Sequence, residues 1–272
     1  MMRNYRATGV LALALGASAC GVSTQQEVQL GQQESARIQQ QLPMVQDAVV
    51  TQYVTSLGNQ IASHTSRADL QWQFYVVNTD VVNAFALPGG IIYVNRGILE
   101  RADRMDELAA VLGHEIEHVV RRHSVKQMQQ MQGANVGVTL ACVLTNVCGS
   151  QAASAAINVG GTAVFARFSR EDEIQADEGG FQNLINAGIN PTGMLTFFQK
   201  LLAEEQQSGG SNVSSWFASH PGTQDRITNV QRLLAQVPAS QLQSLTSDTP
   251  AFQAMKQRVM SLPPAPPATS RH

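Results

Sequence analysis

Residues 111–123 read Val-Leu-Gly-His-Glu-Ile-Glu-His-Val-Val-Arg-Arg-His and hold three of the chain's six histidines. His114, Glu115 and His118 spell H-E-x-x-H. Residues four apart share one helical face about one turn along, so both imidazoles reach a single cation if the stretch is helical. Glu115 then stands beside His114 and can face a water on that cation without ligating it, a general base next to a Lewis acid. At this composition the pattern arises by chance in roughly one chain in two hundred. Leu108, Val111, Leu112, Ile116 and Val119 fall on one face and predict a helix over about 103–130. The bland alternative, an amphipathic helix with surface or capping histidines, is the weaker one.

His123 lies nine residues after His114. At about 100° per residue, that puts it roughly on the far side of a continuous helix. The metzincin pattern does recruit a third histidine, ten residues on and after a helix-breaking glycine. Here those positions hold Ser124 and Arg121. Flanked by Arg121 and Arg122, His123 reads as part of an exposed basic turn and not as a ligand.

A tetrahedral catalytic site needs three protein ligands and an open position, so a further ligand is sought elsewhere. Residues 169–180, Ser-Arg-Glu-Asp-Glu-Ile-Gln-Ala-Asp-Glu-Gly-Gly, offer Glu173 and Asp177, again four apart on a predicted helix. One carboxylate could bind a metal while the other accepts a hydrogen bond from the free nitrogen of a ligand histidine. On spacing alone the competing reading, a solvated acidic first turn favoured by the helix dipole, stands at least level with it.

The rest of the chain predicts a mainly helical α+β protein. Its 272 residues are 43% hydrophobic and 14% charged, with a net charge of −2. That length suits one substantial domain or two small ones, and the charge leaves no basic footprint for nucleic acid. Val45, Val49, Val50, Tyr53, Val54, Leu57 and Ile61 mark one helical face. Residues 70–78 alternate as a strand, and 83–87 and 91–95 read as strands around a Pro-Gly-Gly turn. This hairpin or meander gives a small antiparallel sheet beside the H-E-x-x-H helix. Residues 133–168, rich in Gly, Ala and Val, suggest closely packed helices, with a membrane span the weaker alternative. Further helices are expected over 171–187, from Pro191 to about 207, from Pro221 to about 236 and over about 248–261. A flexible loop is expected at 206–215.

The first twenty residues combine Arg3 and Arg6, a short apolar run and small residues leading to Cys20. The run is too short to span a bilayer and reads as a signal peptide. Ala17-Ser18-Ala19 fits an ordinary cleavage site, but with Cys20 it also fits a bacterial lipobox, and lipidation of Cys20 is the preferred reading. Gly21 in place of Asp points to the outer membrane. The expected organisation is a signal peptide over 1–19, a polar linker or helix over 20–43, a catalytic domain over 44–262 and a disordered Pro-rich tail over 263–272. Export permits a disulfide between Cys142 and Cys148, with two small buried thiols as the equal alternative.

Four segments in order, residues 83–99, 107–124, 169–180 and 219–227, make the chain resemble metallopeptidase family forty-eight, the HtpX/CAAX-protease-like zinc peptidases. The lipobox points to its LoiP/BepA-like periplasmic lipoprotein branch. The resemblance covers about residues 45–235 and implies a zincin-type domain holding one zinc through His114, His118 and Glu173. It implies Glu115 as water activator and Asp177 as the partner behind a ligand. It also singles out His220 and Arg226 in Ser-His-Pro-Gly-Thr-Gln-Asp-Arg-Ile. His220 would lie close to the zinc, steadying the oxyanion or closing the open position, with Arg226 assisting. Glu117 is a departure, since many relatives carry Gly there.

The hairpin around Asn83, Ala84 and Phe85 could take an extended peptide as an added strand, or could be purely structural. The expectation is thus a zinc endopeptidase that degrades misfolded or misassembled envelope proteins, on the periplasmic face of the outer membrane or soluble in the periplasm. Expected partners are unfolded polypeptides, the membrane through the lipid, and envelope assembly machinery. The rival reading is a chaperone-like scaffold whose zinc site is shut by His220, and the blandest is a helical lipoprotein without metal.

Overall fold

Pro88-Gly89-Gly90 turns the chain sharply, with the two glycines at φ 83° and 98°, left-handed values that a side chain resists. The computed structural model describes residues 22–133, 157–159, 162–164, 168–208 and 213–266. Cys20, the Cys142–Cys148 pair, the signal segment and most of the Pro-rich tail lie outside them. The turn joins β2 (Ala84–Leu87) to β3 (Ile91–Asn95) in antiparallel register, Ala84 opposite Val94 and Leu87 opposite Ile91. β1 (Gln73–Val77) pairs with the other side of β3 and runs parallel to it. The small sheet is therefore mixed where an antiparallel one was expected. β3, buried throughout from Ile91 to Asn95, takes the centre, and β1, with Gln73 and Tyr75 only half-buried, lies at an edge.

The two faces of β2 differ in size. Ala84 and Ala86 join the core around α4 (Met105–Val120), while Phe85 and Leu87 pack with Ile38 of α1 (Thr24–Gln41) on the other face. Small side chains on one face let the helix carrying H-E-x-x-H lie close against the strand. α4 is buried from Met105 through Val119. It is enclosed by the sheet, α2 (Ala48–Ala62), α6 (Arg170–Asn186) and α7 (Thr192–Ser208).

α6 approaches α4 with almost no side chain between them. A Cβ on Gly180 would lie 3.0 Å from the Gly113 carbonyl carbon and 3.1 Å from the His114 nitrogen. Beside this contact Glu117 accepts from Asn183 Nδ2 at 2.7 Å and from Arg121 Nε at 2.9 Å, and it lies over Gly179. The unexplained acid of the sequence is thus a staple between the two helices.

The expected long helix over 103–130 is broken. α4 ends at Val120, and α5 (His123–Gly133) begins after Arg122, which has φ 57°. A left-handed bulky residue costs about 1–2 kcal/mol, and a buried carboxylate holds it there. Glu27 of α1, fully buried, accepts from Arg122 Nε at 2.9 Å, from Arg67 at 2.8 and 3.1 Å, and from the Gly89 nitrogen at 3.2 Å. Arg67 also donates to the Val119 carbonyl at 2.9 Å, satisfying an acceptor at the end of α4. α1 itself starts from a capping box between Ser23 and Gln26.

Where closely packed helices were expected over 133–168, the described residues form two short antiparallel strands. These are β4 (Ile157–Val159) and β5 (Thr162–Val164), flanking Gly160-Gly161 in sequence. β-Branched residues either side of a Gly-Gly pair favour a hairpin over a helix. The remaining helices among the described residues are α3 (Arg96–Arg101), α8 (Ser214–Ser219), α9 (Thr223–Leu234), α10 (Ala239–Ser244) and α11 (Pro250–Ser261). Among the described residues no helix is long and apolar enough to cross a membrane.

Replacing Gly180 tests the helix contact. Gly180→Ala gains helix propensity of about 1 kcal/mol, yet overpacking against backbone costs about 1–3 kcal/mol. The net cost of up to about 2 kcal/mol predicts a fall in Tm of up to about 8 °C, together with a looser fit between the two helices. A rise in Tm would show that the helices are free to separate.

Candidate metal centre

His114 and His118 of α4, Glu173 of α6 and His220, the residue that ends α8, each offer a donor atom, and these atoms lie within 4.8 Å of one another. His114 Nε2 is 3.0 Å from His118 Nε2 and 3.4 Å from Glu173 Oε2. Glu173 Oε1 is 3.5 Å from His118 Nε2, and His220 Nδ1 is 3.3 Å from both His114 Nε2 and Glu173. A tetrahedral ion with bonds of about 2.0–2.1 Å requires donors roughly 3.3–3.4 Å apart. The residues present therefore fit zinc in spacing and in chemical type. Glu115, Glu173 and Asp177 are buried carboxylates around them, with Arg226 the buried guanidinium in their midst, an acidic lining that suits a cation.

Each side chain is brought in by a local device. Ser169 caps α6 and shares a capping box with Asp172, which sets Glu173 in the first turn. One turn on, Asp177 accepts from His114 Nδ1 at 2.8 Å, leaving His114 Nε2 to face the centre. Arg226 of α9 grips Asp177 with Nε and Nη2, both at 2.7 Å, and stacks over Phe198 at 4.3 Å. Its Nη1 lies 3.0 Å from Glu173 Oε2 as an ion pair, although no N–H points along that line.

These neighbours set the protonation states. Burial pushes Glu173 up, but His220, Arg226 and His114 together hold its carboxyl well below the usual range. Asp177 is likewise held down against burial, by Arg226 and His114. Burial and Arg226 oppose charge on His114, yet Glu173 and Asp177 raise it to about 9. His118 is driven well down by burial and by His114. Burial pushes Glu115 up. Neither of its oxygens has a hydrogen-bond partner among the described residues, and His220 Nε2 stands 3.4 Å from Oε1.

The structure also places the remaining candidates. Arg226 lies against Asp177 and Glu173, behind the donors. Ala84 presents its carbonyl 3.4 Å from His220 Nε2, Asn83 faces Ser219, and the Phe85 ring turns away from the centre to stack on Tyr93 at 4.9 Å. His123 is corrected most. It is not exposed but 1% accessible, with Nδ1 2.9 Å from His118 Nδ1. The left-handed Arg122 redirects the chain and overturns the continuous-helix geometry that put His123 on the far side. Two residues escaped sequence reasoning altogether. The Phe168 ring stacks on His118 at 4.0 Å, and the buried Trp216 ring lies 4.4 Å from His220. Nothing local in the sequence marks either as part of a site.

An H-E-x-x-H helix facing an acidic helix, with these donors converging in a buried interior, defines a zincin-like metallopeptidase site. The profile described as Peptidase family M48 matches residues 48–234, and the chain belongs to that family. Among curated relatives, the beta-barrel assembly-enhancing protease of Escherichia coli (strain K12) is 31% identical over 232 residues, covering 82% of this chain and 47% of the relative. Metalloprotease LoiP of the same strain is 30% identical over 178 residues, covering 65% and 68%. The mitochondrial metalloendopeptidase OMA1 of Schizosaccharomyces pombe is 31% identical over 212 residues, covering 76% and 60%. The chain spans about half the length of the beta-barrel assembly-enhancing proteases it matches.

Asp177→Asn preserves shape while removing the charge that fixes His114. Zinc affinity, measured by competition with a chelator, is expected to fall about 10–100-fold. Unchanged affinity would mean that the Asp177–His114 contact does not support the metal site.

Proposed function

We propose that this chain is a zinc-dependent endopeptidase holding one zinc through His114, His118 and Glu173, with Glu115 as general base. The observation that carries this is the buried convergence of those donors beside a carboxylate with no hydrogen-bond partner among the described residues. Bound there, zinc would polarise the scissile carbonyl and lower the pKa of water. Glu115, made more basic by burial, takes the water's proton as its oxygen adds to the carbonyl carbon. It then passes the proton to the amide nitrogen as the C–N bond breaks, releasing a carboxyl end and a free amine.

His220 Nε2, close to both Glu115 and the Ala84 carbonyl, is placed to donate to the developing oxyanion. Arg226 supports it indirectly, by holding Asp177 and Glu173 in place. Antiparallel pairing alternates inward and outward backbone groups. Asn83 pairs inward, its carbonyl accepting from the Asn95 nitrogen at 2.9 Å, so the Ala84 groups face outward. An extended substrate would add along Asn83, Ala84 and Phe85 as a further strand.

The substrates we propose are misfolded or misassembled envelope proteins, with envelope assembly machinery as a partner. Relatives named for beta-barrel assembly support this class. Export and a lipid on Cys20, holding the protein at the periplasmic face of the outer membrane, rest on the leader sequence, with a soluble periplasmic form as the alternative.

A second reading has its own observation. His220 stands at ligand distance from the other donors, where it would close the open position and leave a shut, scaffold-like protein. Cleavage of an unfolded protein such as casein, with zinc content, separates the readings. Glu115→Gln should keep zinc and lose about 10²–10⁴-fold in cleavage; cleavage at the wild-type rate would remove Glu115 from the mechanism. His220→Ala should raise cleavage severalfold if His220 closes the site in the resting state. A fall would place it in the chemistry instead.

A further inference from the structure

We propose that His123 is a positioning residue of the metal centre, accepting the Nδ1–H of His118 and so holding His118 in the tautomer that turns a lone pair on Nε2 toward the metal. The proposal builds on the metal-site reading above.

It follows from tracing protons through three contacts. His118 Nε2 lies among the converging donors, 3.0 Å from His114 Nε2 and 3.5 Å from Glu173 Oε1. To ligate, that nitrogen must be free of hydrogen, so the proton sits on Nδ1. Nδ1 is 2.9 Å from His123 Nδ1, which must then be the acceptor. The proton of His123 is thereby confined to Nε2. That atom faces two acceptors, Gln175 Oε1 and Asp172 Oδ1, each at 3.4 Å. The opposite assignment fails at both ends. It would aim an N–H of His118 into the donor cluster and a lone pair of His123 at two oxygens.

The surroundings fit a part that depends on orientation. Phe168 stacks on the His118 ring at 4.0 Å and 21°, fixing its plane, while His123 meets it edge-on at 73°. His123 reaches this place through the left-handed Arg122, which Glu27 anchors from α1. The two ligand histidines thus have unlike partners, a carboxylate behind His114 and an imidazole behind His118.

The test compares His123→Asn, whose Oδ1 can accept in place of Nδ1, with His123→Leu, which cannot accept. Zinc affinity is measured on the full chain by competition with a chromophoric chelator, and Tm is measured with zinc removed. The Leu variant is expected to bind zinc about 10–100-fold more weakly, with the Asn variant within about threefold of wild type by the same criterion. Equal affinity in the two variants, whether unchanged or equally reduced, would reduce His123 to packing and overturn the proposal.

A second measurement needs no variant. Long-range ¹H–¹⁵N imidazole spectra of the zinc-loaded wild type should show His118 protonated on Nδ1 and His123 on Nε2. A His123 protonated on Nδ1 would overturn the assignment. Wild type that binds no zinc would overturn the metal-site reading itself, and this inference with it.

Discussion

The backbone contact between Gly113 and Gly180 governs the site, because it sets the distance between its two halves. α4 carries His114, His118 and Glu115, and α6 carries Glu173 and Asp177, the carboxylate behind His114. Neither helix alone can hold a metal. With glycine on both sides, the axes approach until Glu173 and Asp177 lie alongside His114. Glu117 reinforces the crossing one turn further along, which accounts for an acid that has no place in the chemistry.

Such closeness is electrostatically expensive without compensation. Carboxylates removed from water are stabilised only when paired and hydrogen-bonded. Arg226 answers part of the charge by gripping Asp177 and approaching Glu173. A divalent cation would answer the rest. Glu115 is left apart from this network, bonded to no donor among the described residues, and burial keeps it basic. The same electrostatics thus separates the paired acids, Glu173 and Asp177, from the unbonded Glu115.

Much of this was legible in the sequence for a simple reason. Helical spacing places His114 and His118 on one face by geometry alone, and the same spacing sets Glu173 above Asp177. The flanking apolar residues fix which face of α4 turns inward. Geometry read from i, i+4 pairs survives folding because it depends on one helix at a time. The ligand part of Glu173, by contrast, rests on the family resemblance and not on spacing. His123 was misplaced for the complementary reason. Its position depends on a left-handed Arg122, with no glycine or proline to signal it. The cause lies 95 residues away in Glu27, a tertiary contact that no local pattern encodes. Phe168 and Trp216 share that difficulty, and the parallel pairing of β1 shows it at the level of the sheet. Strand alternation reveals which residues are strands, but it says little about which strand lies next to which.

The central claim is that His114, His118 and Glu173 hold one zinc, with His220 beside them in the resting protein. X-ray absorption at the zinc edge of the purified full chain tests it directly. The account predicts one zinc per chain, nitrogen and oxygen donors at about 2.0–2.1 Å, and outer-shell scattering from two imidazoles, with a third only if His220 closes the open position. Absence of zinc, or a sulfur donor at about 2.3 Å, would contradict it.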